Sequence, residues 1–219
     1  MKIKILSYNI HKGFDWKNKN YFIKEMKDFI RSTDADVVFL QEVIGKNIKL
    51  QESGLIDIQF EFLADEIWPH YSYAHNAVYD HGHHGNLILS KFPIENFENI
   101  DISTNSLEKR GLLICKIMLP VNGFGDKYFY AACSHLNLLH SGRLKQYQKI
   151  KEHVQKRESA DGQTPFIIAG DFNDWKTVDD YRLSRTDEGA WEKKVDLKAG
   201  RHSYKFDIEG AWVLDSQNI

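Results

Sequence analysis

Two short runs in this chain contain nothing polar. Val37-Val38-Phe39-Leu40 lies between Asp36 and Gln41, and Phe166-Ile167-Ile168-Ala169 between Pro165 and Gly170. Successive side chains of a strand point to opposite faces, so a wholly apolar strand has to be covered on both sides. A chain carrying two of them is committed to a layered core and not to a single sheet with one wet face. With 219 residues and 42% hydrophobic content there is enough material to build those layers.

The neighbouring segments supply them. Ile3 to Tyr8 reads as a first strand, and further strands are expected at 71–78, 86–90, 111–119 and 127–134. Phe22, Met26, Phe29 and Ile30 recur at helical spacing and predict a helix over about 19–31. A second helix is predicted from Phe60 to Trp68, ending at Pro69. A third is predicted over about 143–157, with Leu144, Tyr147, Ile150 and Val154 on its packed face. Downstream of Asn173 the texture changes to short aromatic strands between glycines and acidic turns, at 188–191, 202–206 and 211–214.

Several function classes fall away at this level. No apolar run approaches the roughly 18 residues of a membrane helix, so no membrane span is expected. The start of the chain has no long apolar stretch of the signal-peptide kind, which makes the expectation cytoplasmic. Cys115 and Cys133 sit in strand-like runs without a CxxC partner and read as buried thiols. A net charge of −2 gives no bulk drive toward nucleic acid. The distribution is uneven, with eight Lys/Arg against three Asp/Glu over residues 1–31, which leaves room for a local basic face.

Four polar clusters close predicted strands: Ser7-Tyr8-Asn9-Ile10-His11, Gln41-Glu42-Val43, Ser134-His135-Leu136-Asn137 and Gly170-Asp171-Phe172-Asn173. Together they offer carboxylates, amides and a histidine at positions where a rigid core can converge them. Oxygen donors of this kind suit a hard cation such as Mg²⁺ or Mn²⁺. A histidine beside such an ion suits phosphoester hydrolysis. Each cluster alone admits a plainer reading: Asp171 and Asn173 as a turn or cap, Glu42 as a strand-end carboxylate, Arg110 as a solvated charge. His81-Gly82-His83-His84 reads as a loop near substrate in preference to a transition-metal site.

The chain resembles the endonuclease/exonuclease/phosphatase superfamily of metal-dependent phosphoesterases. The matching stretches are SYNIHKG (7–13), FLQEV (39–43), GHHGNLILSKFPI (82–94), KRGLL (109–113), SHLNL (134–138) and AGDFNDW (169–175), in family order. The resemblance implies an α+β fold, a two-sheet β-sandwich flanked by helices in four layers (αββα), over residues 1–175. It implies Glu42 as principal ligand of Mg²⁺ or Mn²⁺, with Asn9 and Asp171 beside it. It further implies His135, Asn173, Asp171, Asn86 and Arg110 around the scissile phosphate, and in-line attack by water on a phosphate ester. The expected partner is a small phosphodiester or a nucleic acid. The family also ends in a Ser-Asp-His segment whose histidine is the usual general base. No Ser-Asp-His occurs here, so the expectation is an impaired hydrolase, and a catalytically inactive scaffold stands as the alternative.

A second resemblance covers residues 166–219. FIIAGDFNDW, VDLKAGRHSYKF and IEGAWVLDSQN look like a glycogen- or starch-binding β-sandwich module that shares the 166–175 strand. It implies Trp175, Lys205 and Trp212 as a sugar platform and α-glucan as a further partner, since aromatic faces stack on sugar rings.

Overall fold

The computed structural model of the chain describes residues 2–64, 67–106, 108–120, 127–162 and 164–173, followed by four short strands at 184–185, 191–192, 206–208 and 211–213. The chain divides into two compact units, Met1–Asn173 and Asp174–Ile219.

The first unit is a sandwich of two four-stranded sheets. One sheet has the order β1 (Ile5–Asn9), β2 (Val37–Asn47), β4 (Gly82–Ser90), β3 (His70–Tyr79). The other runs β5 (Ile94–Asp101), β6 (Gly111–Leu119), β7 (Lys127–His135), β8 (Phe166–Asp171). Most neighbours are antiparallel, but β1 pairs with β2 and β7 with β8 in parallel. Parallel neighbours need a crossover, and helices provide it: α1 (Ile23–Ser32) lies between β1 and β2, and α4 (His140–Asp161) between β7 and β8. Two shorter helices, α2 (Ile48–Glu52) and α3 (Gln59–Ala64), follow β2.

The wholly apolar run of β2 is buried on both faces. Val37 and Phe39 join Ile88, Leu113, Cys115, Ile117, Phe129, Ala131 and Cys133 between the sheets. Val38 and Leu40 face outward into a second cluster with Ile23 and Ile30 of α1, Leu63 of α3, and Trp68. A third cluster, including Leu112, Ile114, Ala132 and Ile150, fills the space between the second sheet and α4. The order helix, sheet, sheet, helix is the four-layer αββα arrangement expected of the sequence. Both cysteines are free and buried.

Three local readings change. The helix expected from residue 19 begins at Ile23, because the Asp15 side chain accepts from Lys19 N at 2.8 Å and from Asn20 Nδ2 at 2.8 Å, folding 15–20 into a turn. Leu144 and Tyr147 of α4 are exposed, while Arg143 and Gln146 are buried. Gln146 Oε1 accepts from Asn137 N at 2.8 Å and Arg143 donates to Leu138 O at 2.7 Å, so the first half of α4 is seated on the 137–138 backbone by polar side chains. His83 and His84 belong to strand β4, not to a loop.

The second unit shows two antiparallel strand pairs, β9 (Ser184–Arg185) with β10 (Trp191–Glu192) and β11 (Phe206–Ile208) with β12 (Ala211–Val213). Trp175 and Lys205 lie outside the described residues, and Trp212 is placed only as part of β12. The strand at 166–171 belongs to the second sheet of the first unit through its pairing with β7. Among the described residues, no helix is long and apolar enough to cross a membrane.

Candidate active site

Both parallel pairs deliver their C-terminal ends to one place. Asn9 stands in register with Gln41 at the end of β1 and β2, and His135 with Asp171 at the end of β7 and β8. Gly170 lets β8 approach this closely: a Cβ there would lie 1.8 Å from Ser134 O. Four of the six non-glycine residues with left-handed φ among the described residues cluster here: His11 at 45°, Lys12 at 59°, Glu42 at 57° and Asn173 at 50°. Such conformations cost of order 1 kcal/mol or more each and persist where surrounding contacts enforce them. Glu42 acquires its φ in a bulge of β2, between Leu40 and Val43, which re-aims a side chain that ordinary pairing would place elsewhere.

The centre is held by an amide. Asn9 Nδ2 donates to Glu42 Oε1 at 3.1 Å and to Asp171 Oδ2 at 3.0 Å, joining carboxylates from the two sheets. Its own oxygen accepts from His11 N at 2.9 Å, which fixes the amide's direction. Asn9 is thus a clamp on the carboxylates in this structure, where the resemblance implied an oxygen ligand. Lys12 Nζ lies 2.8 Å from Glu42 Oε2, and His135 Nδ1 lies 3.8 Å from Glu42 Oε1. Burial works against ionisation of Glu42, yet the Lys12 ammonium, His135 and the Asn9 amide bring its carboxyl down to about 2. Burial, and then the Arg110 guanidinium, push His135 below the ordinary histidine value against the pull of Asp171, Glu42 and Glu108. The ring is therefore neutral at pH 7.

A small cleft opens beside this centre, with Glu42, His84, Asn86, Lys109, Arg110 and His135 among its lining residues. Asn86 is 1% exposed, and its Nδ2 donates to Gly111 O at 3.1 Å and Cys133 O at 3.2 Å, tying the first sheet to the second. Both amide hydrogens are spent on backbone, so Asn86 can offer the cleft only its carbonyl oxygen. Arg110 is steered by Glu108 Oε1 at 2.5 Å, and its buried Nε has no partner among the described residues. Asn173 Nδ2 donates to Leu136 O at 2.6 Å and its backbone N–H to Asp171 Oδ1 at 3.0 Å, so Asn173 braces Asp171. The site thus gathers Asn9, Glu42, His135, Asp171 and Asn173 at the strand ends, with Asn86 and Arg110 on the cleft wall.

Lys12 carries part of this site without having been singled out in the sequence, and His84, read there within a loop near substrate, lines the cleft from β4. Lys12 stands within the SYNIHKG stretch, next to a histidine that draws attention first. His84 is held neutral, at about 4, by burial and by Lys12 and Arg110, and its buried Nδ1 has no partner among the described residues.

Among the described residues, no group of three or more His, Cys, Asp and Glu could hold a metal ion. Two clamped carboxylates with an ionised Glu42 still fit one class of ion. Mg²⁺ is bound through one or two carboxylates and keeps several of its waters, so a sparse all-oxygen donor set is its ordinary environment. Soft, thiolate-seeking metals find no thiolate among the described residues, since Cys133 is buried with its thiol pushed up to about 12.

Comparison with known proteins decides the family. The model of the Endonuclease/Exonuclease/phosphatase family matches residues 6–215. The chain belongs to the endonuclease/exonuclease/phosphatase family. That match runs into the second unit, through the stretch whose sequence also looks like a glucan-binding module. The uncharacterized protein YbhP of Escherichia coli K12 is 43% identical over 176 residues, 79% of this chain and 67% of that protein. A mannosyl-6-phosphatase of Bacteroides thetaiotaomicron superposes with a TM-score of 0.57 at 16% identity, over 78% of this chain and 66% of that one. D. rerio TDP2 complexed with single strand DNA product superposes with a TM-score of 0.53 at 21% identity, over 80% of this chain and 62% of that one. The chain therefore spans about two thirds of these relatives. Endonuclease/exonuclease/phosphatase enzymes are hydrolases, phosphatases and nucleases among them, and they generally use divalent metals.

Proposed function

We propose that this chain is a Mg²⁺- or Mn²⁺-dependent phosphoesterase acting on a small phosphodiester or a nucleic acid by in-line attack of water. The observation that carries the reading is the Asn9 amide gripping Glu42 and Asp171, with the neutral His135 beside them.

Glu42 and Asp171 would hold the cation, which supplies Lewis-acid polarisation of the phosphate and offsets its charge. Asn9 keeps the two carboxylates at a fixed separation, and Asn173 holds Asp171 from behind. A neutral imidazole carries one N–H donor and one acceptor nitrogen, so His135 can donate to a non-bridging phosphate oxygen without the desolvation cost of a buried charge. Arg110 and Lys109 place positive charge on the opposite wall, where a phosphate bound near Glu42 presents its remaining oxygens. Asn86 contributes as an acceptor, toward a hydroxyl or a water, and as the tie between the sheets. A mannosyl-6-phosphatase and a DNA-bound TDP2 share this fold, and a fold does not choose among substrates. The α-glucan platform of Trp175, Lys205 and Trp212 rests on sequence pattern.

The test is hydrolysis of bis(p-nitrophenyl) phosphate and of a short single-stranded oligonucleotide, with Mg²⁺, Mn²⁺ or a chelator. Turnover is expected only with metal, with a fall of about 10²- to 10⁴-fold in His135→Ala and none measurable in Glu42→Ala. Turnover that survives chelation, or that Glu42→Ala leaves intact, would overturn the reading.

A further inference from the structure

The Lys12–Glu42 pair is made by the turn after β1 and the bulge of β2, which meet through the backbone at Ile10 N–Gln41 O, 3.1 Å, just before the pair. Both are strained, since Lys12 and Glu42 each hold a left-handed φ. Beyond that bond, a side chain from a third element also spans both segments. Gln59, the first residue of α3, is 0% exposed. Its Oε1 accepts from Ile44 N at 2.8 Å, two residues beyond Glu42, and its Nε2 donates to Lys12 O at 2.7 Å. The same Nε2 reaches Tyr21 Oη at 3.1 Å.

The turn is shaped around this amide. Gly13 follows Lys12 with a φ of 81°, and a Cβ there would lie 2.8 Å from Gln59 Nε2. The apolar stretch in which Gln59 sits, Ile58-Gln59-Phe60, gives no packing reason for an amide, whereas the buried Ile44 N–H and the half-buried Lys12 carbonyl do. Glutamine is the residue that can meet both demands at once, offering one acceptor and one donor at the end of a flexible stem.

We propose that Gln59 is a positioning residue of the active site, clipping the Lys12 carbonyl to the Ile44 N–H so that the Lys12 ammonium and the Glu42 carboxylate are held at the geometry the reaction uses. Its effect on turnover rests on the phosphoesterase reading; its effect on the Lys12–Glu42 pair does not.

Two variants separate positioning from mere packing. Gln59→Leu keeps the bulk and removes both hydrogen bonds. Gln59→Glu keeps both only while the new carboxyl is protonated, when it accepts from Ile44 N and donates to Lys12 O. Once ionised, it sets an anion against the Lys12 carbonyl. Full burial raises a carboxyl by up to several pH units, which brings that ionisation into the neutral range.

Acetylation of Lys12 by an N-hydroxysuccinimide ester, read by mass spectrometry against the exposed Lys49 and Lys145 of the same molecules, reports the pair without any activity. Gln59→Leu should label several-fold faster at Lys12 alone. In hydrolysis of bis(p-nitrophenyl) phosphate with Mn²⁺, Gln59→Leu should lose about 10- to 100-fold in kcat. Gln59→Glu should match the wild type in acid and fall on an alkaline limb that the wild type lacks. Unchanged Lys12 labelling in Gln59→Leu overturns the proposal whatever happens to turnover. So does a Gln59→Glu profile parallel to that of an active wild type. An inactive wild type removes the phosphoesterase reading by itself, and the labelling then decides whether Gln59 sets the pair.

Discussion

Glu42 offers a direct measure of how firmly the site is organised before any substrate arrives. Its side chain is 13% exposed, and Lys12, His135 and Asn9 hold its carboxyl at about 2 against an ordinary 4.5. A shift of that size corresponds to about 3 kcal/mol of folding stability, at about 1.4 kcal/mol per pH unit. Because the folded value is the lower one, the contribution is fully present above about pH 4.5 and is lost as pH falls toward 2. More than half should be gone by about pH 3. Urea unfolding of metal-free wild type and Glu42→Gln, at pH 7 and pH 3, reads it, since carboxylates remote from Glu42 titrate alike in both proteins. The stability gap between wild type and variant should shrink by about 2 kcal/mol on going to pH 3. A gap that does not change with pH would mean that Glu42 is not held ionised by its neighbours, and the electrostatic account of the site would fail with it.

Gly170→Ala should destabilise the fold by several kcal/mol and depress activity with it, because the new Cβ meets Ser134 O across the β7–β8 pair that carries His135 and Asp171; thermal unfolding and a hydrolysis assay check both. Asn86→Leu removes the Asn86 donor from Cys133 O and leaves Gly111 O with Ser134 Oγ, and should cost about 1–3 kcal/mol in denaturant unfolding. A cost under about 0.5 kcal/mol would show that the tie between the sheets is dispensable. Cys115 and Cys133, both pushed up to about 12 by burial, should resist a thiol reagent in the native protein and react only at the rate of unfolding. Rapid modification under native conditions would contradict their placement between the sheets.

Much of this architecture is legible in the sequence because the core speaks in periodicities. Val37 to Leu40 announces a doubly covered strand, and the polar clusters that close β1, β2, β7 and β8 mark where the chemistry gathers. Strand β5 is silent for the opposite reason. Ile94–Asp101 is an edge strand whose side chains are mostly exposed, so it carries no hydrophobic pattern. The first half of α4 misleads because hydrogen bonds from Arg143 and Gln146 do the docking that apolar residues usually do. Gln59 is hidden for a similar reason: its partners are backbone groups at Lys12 and Ile44, and no spacing rule links positions brought together only by the fold. Asn86 shows the reverse case, a residue found by its motif whose amide turns out to serve the backbone.

The Asn9–Asp171 hydrogen bond joins residues 162 positions apart, whereas Lys12 and Glu42 are separated by only 30. On the ribosome these two contacts belong to different moments. Glu42 can find its lysine once the first sheet has begun to form, long before Asp171 has emerged. The nascent chain is thus spared an uncompensated buried carboxylate during most of its synthesis. The pair of carboxylates is completed only when β8 closes the second sheet. Chain entropy makes the longer closure only modestly harder than the shorter one, so the order is set by synthesis more than by energy. A chain halted before β8 would hold a compensated half-site with its second carboxylate still to come.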